Sequence, residues 1–107
     1  MEITQYQIVL VNLDPTVGSE IKKTRPCVVI SPDEMNRHLQ TVVVAPMTTT
    51  SKPYPTRVPV THEDTPGWIA VDQIRTIDKC RIICNTGMLR FSEIQRLKLI
   101  IRQTFVD

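Results

Sequence analysis

Arg25 and the hydroxyl run Thr48-Thr49-Thr50-Ser51, followed by Lys52, are the side chains with the most distinctive chemistry in this 107-residue chain. A guanidinium presents a planar set of donors and hydroxyls present rotatable ones, so the two together suit a phosphate group. Pro26 disfavours helical geometry at Arg25 and keeps its backbone extended. A plainer alternative exists for the same residues: an arginine in a surface ion pair, and threonines that satisfy a loop backbone. Other constellations are weaker. There is no H-E-x-x-H, Walker loop or G-x-S-x-G. Asp33-Glu34 and Glu63-Asp64 read as solvated or capping acids, because a divalent-cation site needs oxygens converging from several elements. His38 and His62 could serve as acid or base, yet each falls on a polar loop without an identifiable partner. Trp68 could stack on a base, although a lone tryptophan opening a strand more often packs in a core or a dimer.

For these side chains to act together, the elements that carry them must meet. Gln7 to Leu13 reads as a strand ending at Asp14-Pro15, Cys27 to Ile30 as a second opened by Arg25-Pro26, and Thr41 to Ala45 as a third ended by Pro46. If the second and third strands pair antiparallel as neighbours, Arg25 and Thr48 lie close together at one mouth. Residues 46 to 67 hold five of the eight prolines and read as a long loop with one edge strand near Arg57 to Val60. Gly67 to Ile77 reads as one long strand, and Cys80 to Cys84 pairs with it through an Asp78-Lys79 turn. Ser92-x-x-Gln95 opens a C-terminal amphipathic helix with Ile94, Leu97, Ile100, Ile101 and Phe105 on its apolar stripe. The sum is an α+β fold, mainly β: a small antiparallel barrel with a C-terminal amphipathic helix, one domain over residues 1–107.

Composition bounds the possibilities. Hydrophobic residues are 41% and charged residues 22% of the chain, which suits a folded domain and excludes a disordered one. At this length a two-domain enzyme is excluded. The formal charge of +2 conceals a partition: residues 1–20 carry only acids, whereas residues 21–62 hold six bases against two acids. That basic middle contains both Arg25 and Thr48, and its loops suit an anion-binding surface or a merely solvated one. Three cysteines without paired spacing argue against a disulfide framework and a zinc site, and for a reducing compartment, with the cytoplasm as default. Neither an export signal nor a membrane span is expected.

Several motifs now combine. Asp14-Pro15-Thr16-x-Gly18-Ser19-Glu20, Thr24-Arg25-Pro26-x-Val28-Val29-Ile30-Ser31, Pro46-x-Thr48-Thr49 and Asp72-Gln73-Ile74-Arg75-Thr76-Ile77-Asp78 occur in order along the chain. Together they resemble the MazF/PemK/Kid family of toxin endoribonucleases over essentially its whole length. The resemblance implies an SH3-like barrel related to the CcdB toxin, a homodimer, cleavage of single-stranded RNA without metal or cofactor, and a cognate MazE-like antitoxin with an acidic, disordered segment. It implies catalytic roles for Arg25 and Thr48, and for Asp72, which matches an aspartate used by some members as an orienting group for the arginine or as a base. Ser19, Glu20, Lys22, Lys23 and Gln73 would contact RNA or position the first loop. Thr49, Ser51, Lys52 and Arg57 would extend that RNA surface.

This chain departs from the family pattern at three places. Tyr6-Gln7 stands where Gly-Asp is usual, Lys22-Lys23 replaces a commonly glycine-containing stretch, and Ala70 occupies the position of a second arginine in some members. The implied reaction is attack of a ribose 2′-hydroxyl on the adjacent phosphorus, leaving a 2′,3′-cyclic phosphate and a 5′-hydroxyl. Two other classes share the fold: a CcdB-like toxin acting on a protein target such as gyrase, and a non-catalytic SH3-like nucleic-acid-binding module. Retention of Arg25 and Thr48 favours the nuclease over both.

Overall fold

The computed structural model describes residues 2–107. Strands β1 (Gln7–Asn12), β2 (Thr24–Val29), β3 (Thr41–Thr48), β4 (Arg57–His62), β5 (Thr65–Ala70), β6 (Arg75–Asp78) and β7 (Ile82–Met88) form one antiparallel sheet in the order β4-β5-β3-β2-β1-β7, with β6 also paired to β3. A short helix α1 (Asp33–His38) links β2 to β3, and the chain ends in helix α2 (Phe91–Phe105). The expected mainly β, antiparallel fold with a C-terminal helix is present, its barrel realised as a half-barrel sheet.

Both faces of the central strands are apolar, as a curled sheet requires. Ile8, Val28, Ala45 and Met47 lie on the face that meets Leu97 and Ile100 of α2, together with Val58, Val60 and Ile69. The alternate residues Val9, Val11, Cys27, Val29, Val42 and Val44 build a second cluster with Ile3, Leu13 and Ile77. Period-two alternation in the β-branched runs therefore fills two cores at once.

Strand β3 is the hinge of the architecture. Its first half, Thr41 to Val44, pairs with β6, and its end, Met47 and Thr48, pairs with β5 on the same edge. Pro46 was expected to stop this strand; instead it lies inside it. It falls in the two-residue gap between those ladders, where one edge makes no pairing and a missing N–H costs little. Gly67 in β5 packs there so closely that a Cβ would sit 2.9 Å from the Thr48 carbonyl oxygen.

Other expectations are corrected. The expected loop of residues 46–67 contains most of a hairpin, β4 and β5, closed by Glu63 and Asp64 with positive φ values of 51° and 62°. That is the geometry of a type I′ turn. The expected long strand from Gly67 is broken by one 3-10 turn over Val71–Gln73, and the segment holding Cys84 pairs with β1 rather than with β6. Asp33 and Glu34 begin α1 and His38 ends it, so these residues are helical. Ser92 is not the cap of α2: the Glu93 carboxylate accepts the Arg90 N–H at 2.9 Å and the Thr61 N–H at 3.0 Å, starting the helix and tying it to β4. Phe105, expected on the apolar stripe, is 59% exposed.

The unusual Tyr6-Gln7 pair keeps the local turn. Tyr6 takes a φ of 68°, a left-handed conformation that glycine adopts more easily, and the buried Gln7 amide oxygen accepts the Thr4 N–H at 2.8 Å. Lys23 is likewise left-handed, with φ 72°, and its N–H is held by the Asp14 carboxylate at 3.0 Å. Tyr6 and Lys23 thus stand on backbone that glycine adopts more easily.

Candidate active site

Strands β2 and β3 pair with Val29 opposite Val44, Val28 opposite Ala45 and Cys27 opposite Pro46. Continuing that register by two residues sets Arg25 opposite Thr48. The Arg25 Nε donates to the Lys22 carbonyl at 3.3 Å, which directs the guanidinium along the loop joining β1 and β2. Thr48 Oγ1 donates to the Thr50 carbonyl at 3.1 Å and accepts the Thr50 N–H at 3.3 Å, so the hydroxyl is fixed by its own turn.

Two hollows meet at this pair. One, of about 210 Å³, is bounded by Arg25, Pro26, Met47, Thr48 and Thr49 from β2 and β3 and by His62, Glu63, Thr65, Pro66 and Gly67 from the β4–β5 hairpin. The other, of about 310 Å³, is bounded by Ser19, Glu20, Ile21, Lys22, Arg25, Thr48, Thr50, Arg57 and Gln73. Arg25 and Thr48 form the wall that the two share. A phosphodiester placed over that wall would have room for a nucleotide on each side, with cationic and hydroxyl donors at its centre.

The structure does not bring Asp72 to Arg25. Its carboxylate is gripped by Arg57, with Nε on Oδ1 at 2.8 Å and Nη2 on Oδ2 at 3.1 Å, and accepts the Thr56 hydroxyl at 2.8 Å. The hydrogen bond from Arg57 is the largest influence holding the Asp72 carboxyl below its usual range, although partial burial opposes it. The expected pairing of Asp72 with Arg25 is not what the structure shows: the carboxylate is paired with Arg57. Asp72 and Gln73 lie in the 3-10 turn that interrupts the expected strand, and their side chains go to Arg57 and to the first loop. Arg57 also donates to Ser51 Oγ at 2.9 Å and lies 5.5 Å from the centre of the Tyr54 ring. Its charged state is reinforced by Asp72.

Gln73 clamps the first loop. Its Oε1 accepts the Ile21 N–H at 2.6 Å and its Nε2 reaches the Ser19 carbonyl at 3.5 Å. Glu20 Oε1 accepts the Val17 N–H at 2.5 Å, bracing the same loop from within. Lys22 borders the second hollow, whereas Lys23 and Lys52 border neither. Ser51 acts through Arg57 and the Lys52 carbonyl. Among the described residues, no group of three or more His, Cys, Asp or Glu side chains converges on a common point.

One residue that borders the site is discounted at the level of sequence for want of a partner. His62, assigned there to a polar loop without partners, ends β4 and lines the hollow beside Arg25 and Thr48. Only the hairpin register reveals this, because the β4–β5 turn folds His62 and Thr65 back over the end of β3.

Known proteins resemble this chain in sequence and fold. The family described as "PemK-like, MazF-like toxin of type II toxin-antitoxin system" matches residues 4–105. The chain is 34% identical over 92 residues to the endoribonuclease toxin MazF of Escherichia coli strain K12, covering 85% of this chain and 83% of that protein. Among solved structures, MazF from Deinococcus radiodurans superposes with a TM-score of 0.86 at 21% identity, covering 96% of each chain. A mycobacterial endoribonuclease solved in complex with its cognate antitoxin superposes at 0.80 and 22% identity, covering 94% of this chain and 92% of that one.

Proposed function

The chain belongs to the PemK-like, MazF-like toxin family of type II toxin–antitoxin systems, and from that premise we propose that it is an endoribonuclease whose Arg25 and Thr48 cleave single-stranded RNA. The observation that supports this reading best is the register that faces Arg25 with Thr48 on the wall between two nucleotide-sized hollows. In the reaction, a ribose 2′-hydroxyl attacks the adjacent phosphorus, and Arg25 stabilises the added negative charge of the phosphorane. Thr48 turns its hydroxyl proton from the Thr50 carbonyl to a nonbridging oxygen. Arginine is protonated at neutral pH and makes a poor base, so its contribution is electrostatic. Products are a 2′,3′-cyclic phosphate and a 5′-hydroxyl, formed without metal or cofactor.

Lys22, Thr49, Arg57 and the clamped loop of Ser19, Glu20 and Gln73 contact or shape the RNA on either side, with Lys23, Ser51 and Lys52 extending the surface. Asp72 acts at one remove by fixing Arg57. Cytoplasmic homodimers are the working form, since a domain of this size gains core by pairing. A MazE-like antitoxin with an acidic, disordered segment covers the same basic groove, its ordering cost offset by charge complementarity. No helix among the described residues is long and apolar enough to cross a membrane.

Incubation of purified protein with single-stranded RNA in EDTA, followed by analysis of the product ends, tests the proposal. Cyclic-phosphate ends support it. Tight binding without cleavage would instead identify a binding module.

A further inference from the structure

Cleavage by a 2′-hydroxyl has a second demand that Arg25 and Thr48 leave unmet. The departing 5′-oxygen is a poor leaving group as an alkoxide and needs a proton as its bond to phosphorus breaks. A guanidinium does not give up its proton near neutrality and a threonine hydroxyl is a weak acid. Asp72 is tied to Arg57 and held in its ionised form. The hollow beside Arg25 contains one remaining pair of titratable side chains, His62 and Glu63.

His62 is built into the wall. Its side chain is 13% exposed, and its Nε2 lies 3.8 Å from Glu63 Oε1, near enough to bias the ring's orientation and too long for a hydrogen bond. The adjoining ring carbon Cε1 faces Gly87 of β7, where an added Cβ would stand 3.8 Å away. Among the described residues no hydrogen bond engages either ring nitrogen, and no buried side-chain nitrogen lacks a partner, so the imidazole nitrogens keep access to solvent, and the residue lines the hollow. The charged groups around it are Arg25 from β2 and Glu63 from the hairpin turn. Histidine is the side chain suited to give and regain a proton near neutral pH.

We propose that His62 is the general acid of the cleavage step, an inference that rests on the endoribonuclease reading above. As the 2′-oxygen bonds to phosphorus, the P–O5′ bond breaks and its electron pair stays on O5′. That oxygen takes a proton from the His62 imidazolium. The 2′-hydroxyl proton passes to water, and the neutral imidazole is reprotonated from solvent, so the enzyme returns unchanged.

The test compares two RNAs carrying the scissile linkage first mapped on long unmodified RNA: one ordinary, one with sulfur in place of the bridging 5′-oxygen. Sulfur departs as a thiolate and needs no proton. His62→Gln is expected to slow the ordinary RNA by about 10²-fold or more and to cut the sulfur-linked RNA within a few-fold of the parent. Equal losses on both RNAs, or parental cleavage of the ordinary one, would overturn the assignment. Arg25→Ala loses both. A parent chain that cuts neither RNA defeats the endoribonuclease reading itself, and His62 with it. If His62→Gln does not fold, the parent alone decides: its rate on ordinary RNA must fall relative to its rate on the sulfur-linked RNA as the pH rises, and parallel profiles overturn the proposal.

Discussion

Arg57 holds both carboxylate oxygens of Asp72, at 2.8 and 3.1 Å, and so removes from Arg25 the acid that the family motif would place beside it. The pair joins the start of β4 to the 3-10 turn after β5, the two ends of the hairpin that carries His62. It ties the two ends of that hairpin together.

This anchoring has a pH signature. The Asp72 carboxyl is depressed in the folded protein, chiefly by the hydrogen bond from Arg57. Its contribution is therefore present above the ordinary carboxylate range and disappears as the pH falls through the depressed value. Asp72→Asn should lower stability at neutral pH by about 1 kcal/mol, the side chain being partly exposed, and this difference from the parent should vanish in acid. Denaturant melts at neutral and acid pH measure it; an undiminished difference in acid would count against the pairing.

Gln73 is predicted to act on substrate binding. Removing its Oε1 leaves the Ile21 N–H without its 2.6 Å acceptor and loosens the loop that borders Arg25. Gln73→Ala should cost about 1 kcal/mol of stability, speed amide exchange at Ile21, and raise KM for RNA more than it lowers kcat.

Gly67 makes room for Thr48. A methyl group at position 67 meets the Thr48 carbonyl oxygen at 2.9 Å, and that oxygen belongs to the backbone. Gly67→Ala is expected to destabilise the fold by about 1–3 kcal/mol and to displace the Thr48 hydroxyl, so activity should fall even at temperatures where the variant remains folded. Melting curves combined with cleavage rates check both halves.

The cysteines should divide into two reactivity classes. Burial pushes the Cys27 thiol up to about 12, whereas Cys80 and Cys84 are exposed. Thiol titration of the native protein should find two accessible groups, and a third only on unfolding. Cys80 should be the slower of the two, because the hydrogen bond with Asp78 raises its thiol pKa.

Much of this architecture is legible in the sequence, for identifiable reasons. β-Branched runs gave away β1, β2 and most of β3, and antiparallel pairing of the last two brings Arg25 to Thr48 from spacing alone. What local pattern cannot convey is how strands share edges. Pro46 reads as a stop until β5 and β6 are seen to divide one edge of β3 around it. Asp72 and Gln73 read as one strand until a 3-10 turn sends them to Arg57 and Ile21. His62 reads as a loop residue because its partners, Arg25 and Thr48, lie far away in the chain and meet it only through the β4–β5 hairpin. The partners of α2 were equally hidden, since its cap uses Glu93 to reach Thr61 across the fold.

The central claim is that Arg25 supplies the charge stabilisation for RNA cleavage. Single-turnover cleavage of single-stranded RNA by Arg25→Ala, with its melting temperature recorded alongside, tests it most directly. The account predicts a rate at least about 10²-fold below the parent with the fold retained; a variant that cuts RNA at the parental rate would contradict it.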